Sequence, residues 1–129
     1  MANPLYGQNK ADNAIDNGTL KTETIDAAGA LSTSIPVSII ASEGVIAITL
    51  AASPVVGQIK HIFMSVDGGT ATLTIAQVIG AGNTVEFASI GDSITLVNQG
   101  SDLGWCMVSR ESGTANAVDA FDGPAVSTA

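Results

Sequence analysis

The chain of 129 residues has the length of one domain, and its 12 Asp and Glu against 4 Lys and Arg give a formal net charge of −8. Nucleic-acid phosphates and anionic membrane surfaces are bound by clustered Lys and Arg, so this charge balance argues against both as partners. Charged residues make up only 12% and aromatic residues 4%, and the abundance of Ala, Val, Ile, Ser, Thr and Gly favours strands and turns.

Residues 1–23 form a polar opening that we predict to be an N-terminal arm. The segment lacks a β-branched run and holds too little apolar surface to offset the entropy cost of ordering by itself. Two interpretations remain open. The segment is either a disordered tail or an arm that orders against a neighbouring molecule, with Leu5, Tyr6 and Ile15 as its anchors.

The N-terminal segment has no apolar stretch typical of a secretory signal, and Cys106 is the only cysteine. Both features favour synthesis in a reducing cytoplasm. Beside Trp105, the Cys106 thiol is most simply interpreted as a small buried apolar side chain.

From Thr24 onwards, short apolar runs alternate with Gly-rich turns. Turn signals about every 8–12 residues are typical of a sandwich or a barrel. The sequence therefore predicts an all-β fold, an antiparallel β-sandwich or jelly-roll-like domain over residues 24–112, followed by a C-terminal tail over 113–129. Two short strands are predicted around the break at Ala28-Gly29, one with Thr22, Thr24 and Ile25 and the other with Leu31 and residues 35–40. The further predicted strands lie at 45–50, 58–66, 70–75, 84–88, 93–98 and 105–110.

Two local patterns sharpen this prediction. In 70–75, Thr alternates with Ala71, Leu73 and Ile75, which indicates a strand with one buried face. The preceding residues 67–69, Asp-Gly-Gly, favour a hairpin turn between this strand and 58–66. Pro36 lacks a backbone donor, so the strand around it is expected to lie at an edge or to begin there.

The strand at 58–66 carries apolar residues on both faces. Ile62 and Met64 share one face, whereas Ile59, His61 and Phe63 share the other. A strand of this kind lies either in the centre of a covered sheet or against another subunit. We therefore expect Ile59, His61 and Phe63 to contribute to a subunit interface.

No pattern in the sequence predicts catalysis. His61 is the only histidine, so a zinc site or a Ser-His-Asp triad would depend on one imidazole, and a hydrogen-bonded strand histidine is the simpler interpretation. The acidic residues are scattered through turns, where Asp bonds to the local backbone, and Asp119 and Asp122 lack the spacing of a calcium loop. We predict a non-enzymatic protein with no catalytic residues, cofactor or metal.

The stretch 50–110 resembles β-rich segments in small virion proteins of tailed bacteriophages, a pattern shared by head decoration proteins and fibre modules. The matching residues are Gly57-Gln58, Gly68-Gly69-Thr70, Asn83-Thr84-Val85, Gly91-Asp92-Ser93 and Gly104-Trp105. The resemblance implies a capsid decoration (cement) protein: a homotrimer on the outer surface of the phage head that ties major capsid subunits together. It would be synthesised in the host cytoplasm and would end in the virion.

Three alternatives remain open at this point. The first is a tail fibre, collar or baseplate module built on the same β-domain. The second is a small carbohydrate-binding β-domain, whose pocket would include His61 and Arg110. The third is an unrelated soluble β-domain. Under the decoration hypothesis, deleting residues 1–23 is expected to leave a folded trimer that binds capsids more weakly.

Overall fold

The computed structural model describes residues 15–16, 19–79, 82–111 and 125–127, and these residues form strands, turns and loops without a helix. The all-β prediction is therefore confirmed for this part of the chain. The strands are β1 (Ile15–Asp16), β2 (Thr19–Leu20), β3 (Thr22–Ile25), β4 (Gly29–Leu31), β5 (Val37–Ile40), β6 (Ile46–Leu50), β7 (Ile59–Met64), β8 (Ala71–Ile75), β9 (Thr84–Phe87), β10 (Ser93–Asn98), β11 (Trp105–Glu111) and β12 (Ala125–Ser127).

Ten of these strands form two five-stranded sheets. Sheet I has the order β11-β10-β7-β5-β3, and sheet II has the order β12-β9-β8-β6-β4. Strands β1 and β2 pair separately with each other. From β3 to β8 the chain alternates between the two sheets. Strands β3 and β4 form the first turn of this winding path, β5 and β6 the second, and β7 and β8 the third.

This winding makes both sheets mixed. The pairs β3–β5, β5–β7, β4–β6 and β6–β8 are parallel, whereas β7–β10, β10–β11, β8–β9 and β9–β12 are antiparallel. The prediction of a purely antiparallel sandwich is therefore wrong. A strand that returns to the same sheet after a visit to the other sheet arrives in the same direction as its predecessor.

The predicted hairpin at residues 67–69 is wrong for a specific steric reason. These residues carry the chain from β7 in sheet I to β8 in sheet II. There they cross the earlier connection between β5 and β6. A Cβ at Gly68 would lie 2.2 Å from the Cα of Glu43, and one at Gly69 would lie 2.7 Å from the amide nitrogen of Val45. The glycines permit two connections to stack rather than one strand to reverse.

The local strand predictions fare better than the pairings. The predicted strand with Thr22, Thr24 and Ile25 is β3, and the later predicted strands correspond to β5 to β11, although Leu31 lies in the separate strand β4. The Ala71, Leu73 and Ile75 face of β8 is buried as predicted. The strand after Pro36 begins at Val37, as expected, but β5 lies between β3 and β7 and is not an edge strand. The predicted boundary between residues 23 and 24 falls inside β3.

One hydrophobic core lies between the sheets. Trp105 closes it beside the β8–β9 connection: its indole is fully buried, its Nε1 donates to the carbonyl of Ala51 at 3.0 Å, and its amide donates to the carbonyl of Gln77 at 2.9 Å. Cys106, by contrast, is only half-buried and pairs with Val97, so its assignment to the core is wrong. The core residues are Leu31, Ile40, Ile48, Leu50, Ile62, Met64, Ala71, Leu73, Ile75, Val85, Phe87, Ile94, Leu96 and Trp105.

Candidate interaction surface

The face of sheet I that points away from the core is apolar and carries no charge along its centre. Residues aligned across neighbouring strands share a face of the sheet. Ile59 aligns with Val97, His61 with Val37 and Thr95, and Phe63 with Ile39. We call this central surface the outer face; it consists of Val37, Ile39, Ile59, His61, Phe63, Thr95, Val97 and Cys106. The residues that align with it at its margins are polar or charged: Thr22, Thr24, Ser93, Ser109 and Glu111.

The outer face is open to solvent in the described part of the chain. Ile59 is 49% exposed, and the other members are partly exposed. Lys60, Ile62 and Met64, which alternate with them along β7, are buried on the core side. The two-faced character predicted for this strand is thus confirmed, while the subunit that would cover Ile59, His61 and Phe63 stays a prediction.

His61 is a hydrogen-bonded strand histidine, as the sequence analysis expected. Its Nδ1 lies 2.9 Å from Oγ1 of Thr95, and its ring centroid lies 5.8 Å from that of Phe63. Burial lowers the pKa of the imidazole below its usual 6.5, so the ring is neutral at pH 7. A neutral imidazole avoids the cost of burying a charge, so a protein surface that covers it needs to supply only a hydrogen-bond partner for the second ring nitrogen.

A cleft adjoins the outer face at the end of sheet I where β5 and β7 begin. Its volume is about 300 Å³, and Ile59 belongs to both the cleft and the outer face. The side chains around it expose much apolar surface: Leu20 is 51%, Val55 55% and Val56 70% exposed. The lining residues are Leu20, Pro36, Val55, Val56, Gly57, Gln58 and Ile59.

Buried Asn98 holds the loop that carries the two valines of the cleft. Its Nδ2 donates to the carbonyl of Ser53 at 2.6 Å, and its backbone carbonyl accepts from the amide of Gly57 at 2.7 Å. Gly57 adopts a φ of +86°, a conformation that glycine reaches without strain. Asn98 therefore holds both ends of the loop 53–57, and this backbone position leaves Val55 and Val56 exposed.

Sequence reasoning missed an ion pair inside sheet I. The Nζ of Lys60 donates to Oε2 of Glu23 at 2.7 Å and to the carbonyl of Ile35 at 2.9 Å. The same carboxylate accepts from Oγ of Ser38 at 2.7 Å and from the amide of Ser32 at 3.0 Å. Burial lowers the pKa of the Lys60 ammonium group, although the contact with Glu23 opposes this shift.

This network is structural in character. Its donors and acceptors are engaged with one another across β3, β5 and β7, and the Lys60 side chain has no exposed surface that a substrate would reach. A signal for it exists in the sequence, since the alternation along β7 places Lys60 on the same face as Ile62 and Met64.

The remaining predicted sites are placed as follows. Leu5 and Tyr6 lie outside the described residues, as do Asp119 and Asp122, and Ile15 lies in β1. Asp92 confirms the turn interpretation, because its Oδ2 accepts from the amides of Ala88 and Ser89. Arg110 lies on β11 opposite Ile94 of β10, and His61 lies opposite Thr95, the next residue of β10.

Within the described ranges, no group of three or more His, Cys, Asp and Glu side chains is arranged to hold a metal ion. In the same part of the chain, no helix is long and apolar enough to cross a membrane.

Comparison with known proteins identified no relative. No protein-family model matches the chain, and no curated protein matches it either.

Proposed function

We propose that this protein is a non-enzymatic head decoration (cement) protein of a tailed bacteriophage. It binds the outer surface of the capsid and stabilises contacts between major capsid subunits. The observation that carries the proposal is the outer face of sheet I, the uncharged and largely apolar centre of a sheet face on a protein with a net charge of −8. The sequence resemblance of residues 50–110 to small phage virion proteins gives this surface its proposed setting.

The proposed assembly is a homotrimer in which the outer faces pack against one another. Ile59, His61 and Phe63 form the centre of the subunit interface. Burial of apolar surface favours association, and a neutral His61 avoids the cost of burying a charge in the interface. The N-terminal anchors Leu5, Tyr6 and Ile15 contact the major capsid protein in this proposal.

We further propose that the two sheets close into a β-sandwich. The shared core between them supports this architecture. A jelly-roll path is built from antiparallel Greek keys. The antiparallel strands β8 to β11 fit such a path. The strands β3 to β8 do not, because their neighbours within each sheet are parallel.

The experiment compares two aspartate variants of similar chemistry. Phe63→Asp places a charge in the outer face but outside the cleft, and Val45→Asp places one at a position that is 80% exposed in the β5–β6 connection. We expect the wild type and Val45→Asp to sediment as trimers and to bind expanded heads. Phe63→Asp is expected to sediment as a monomer with the circular dichroism of a folded β-protein.

A wild-type protein that is monomeric and has no affinity for expanded heads would contradict the proposal. Immunogold labelling of the parent particle at the tail rather than the head would contradict it as well. If Phe63→Asp proves unfolded by circular dichroism, Ile39→Asp tests the same surface from the neighbouring strand β5.

A further inference from the structure

The apolar cleft lies where the N-terminal segment of the chain approaches the sheets. Strand β1 pairs with β2 in antiparallel register, with Ile15 opposite Leu20. Leu20 is itself one of the residues that line the cleft. Residues 1–14 are therefore joined to the described chain at Ile15, opposite a residue that lines the cleft.

The composition of the cleft fits a short apolar segment with one polar group. Its walls are made of valine, isoleucine, leucine and proline side chains, and Gln58 supplies the one side-chain amide among the lining residues. Leu5 and Tyr6 are adjacent in the sequence between Pro4 and Gly7. A tyrosine ring buries a large apolar area, and its hydroxyl usually finds a polar partner when the ring is covered.

The length of the connection permits this contact within one molecule. Eight residues, 7–14, separate Tyr6 from Ile15. At about 3.3 Å per residue they span up to roughly 30 Å, and a shorter path returns the chain to the cleft. A segment tethered this closely is present at an effective concentration in the millimolar range, so in dilute solution it outcompetes the same segment of a second copy.

We propose that Leu5 and Tyr6 bind in the cleft of their own chain and cover Val55, Val56 and Leu20 in the free protein. The cleft is then an internal docking site for the N-terminal segment. This inference concerns the isolated protein; on a capsid, Leu5 and Tyr6 would leave the cleft to contact the major capsid protein. The test below can fail without the capsid role failing, because it contains no capsid and does not depend on the trimer.

Tyr6 is the only tyrosine, so 3-fluorotyrosine incorporation gives the full-length protein a single ¹⁹F resonance from this position. The wild-type resonance is expected to lie away from the random-coil position and to keep that position over a hundredfold dilution. Val56→Asp, which puts a carboxylate at a lining residue that is 70% exposed, is expected to return the resonance to the random-coil position. Val45→Asp, the matched control outside the cleft, is expected to leave it unchanged.

Three results would overturn the proposal. The first is a wild-type resonance at the random-coil position, which would mean that Tyr6 is free. The second is a shifted resonance that Val56→Asp does not move, which would place the ring elsewhere. The third is a shift that disappears on dilution, which would make a second copy the occupant. Because Val56 is exposed, Val56→Asp should fold, and the emission of buried Trp105 reports whether it does.

Discussion

The ammonium group of Lys60 lies in the core with no exposed surface, and the Glu23 carboxylate lies 2.7 Å away. A buried ammonium group is costly unless a counter-charge and hydrogen-bond acceptors surround it. Here both are present, because the carbonyl of Ile35 accepts a second hydrogen bond from Nζ. The pair therefore specifies one arrangement of β3, β5 and β7 in which its members meet.

Replacing Lys60 alone should be strongly destabilising. Lys60→Met leaves the Glu23 carboxylate without its counter-charge and is expected to lower the free energy of unfolding by about 3–5 kcal/mol. The double variant Glu23→Gln, Lys60→Met removes both charges and should lose much less than Lys60→Met alone. Urea unfolding measures both values. Lys21→Met, at a partly exposed position nearby, is the control for simple loss of charge and should change stability little.

The same pair makes stability depend on acid. Burial by itself raises the pKa of the Glu23 carboxyl. The hydrogen bonds from Lys60, Ser38 and Ser32, together with the Lys60 charge, outweigh it and hold the pKa below its usual 4.5. Since the folded-state pKa is the lower one, the stabilisation is complete above pH 4.5 and is lost as pH falls through the folded-state value.

The acid dependence is expected to be weaker in Glu23→Gln. Urea midpoints are measured between pH 7 and pH 3. In the wild type the midpoint should decrease once the pH is lower than 4.5, and in the variant this decrease should be smaller. Equal losses in both proteins would mean that other carboxyl groups control acid unfolding.

At the residue scale, one half of this missed network could have been located from the sequence and the other half could not. Strand alternation puts Lys60 on a covered face, because its neighbours Ile62 and Met64 are apolar. Nothing in the sequence identifies Glu23 as its partner, since the two are 37 positions apart and meet only after three strands have aligned. The burial of Ser38 could not be predicted either. Alternation along β5 would place the apolar residues Val37 and Ile39 towards the core, whereas Ser38 and Ile40 are the buried ones.

At the scale of elements, the connections between the sheets decide the fold. The β5–β6 and β7–β8 connections stack at the same end of the molecule, where Gly68 passes directly over Glu43. This contact sets the spacing between successive turns of the chain. Gly44 lies in the earlier connection, but a Cβ there would meet nothing within 4 Å.

This difference gives a matched pair of alanine substitutions. Gly68→Ala would force two backbone segments apart and is expected to destabilise the protein by about 1–3 kcal/mol. Gly44→Ala has room for its methyl group and is expected to be neutral or slightly stabilising, because alanine restricts the unfolded chain. Thermal or urea unfolding of the two variants checks the contrast, and equal effects would show that the connections do not stack as described.

The strands could be predicted from the sequence, whereas their partners could not. Alternation of Thr with apolar residues in β8 is a local property that reports burial directly. The Asp-Gly-Gly sequence at 67–69 is also local, but it fits a reversal within a sheet and a crossing between sheets equally well. The two outcomes are distinguished only by the contact of Gly68 with Glu43, which lies 25 positions earlier in the chain.

At the scale of the whole molecule, the first turn of the chain is tied to the third. β3 lies at the edge of sheet I, where it pairs in parallel with β5. Glu23 further attaches it through hydrogen bonds from Ser32, Ser38 and Lys60. The outer face and the cleft are built on these same strands. The N-terminal boundary of the folded unit therefore affects both the outer face and the cleft.

Two N-terminal deletions should locate this boundary. Removal of residues 1–23, first expected to leave a folded trimer, takes away Glu23 and part of β3 and should destabilise the protein, because Lys60 then remains buried without its counter-charge. Removal of residues 1–18 leaves β3 intact and should preserve the urea midpoint within a small margin while weakening attachment to expanded heads. Urea unfolding and co-sedimentation with heads measure the two effects separately. Equal stability of both deletions would show that the ion pair contributes little, and undiminished head binding by the shorter deletion would show that the N-terminal arm makes no contact with the capsid.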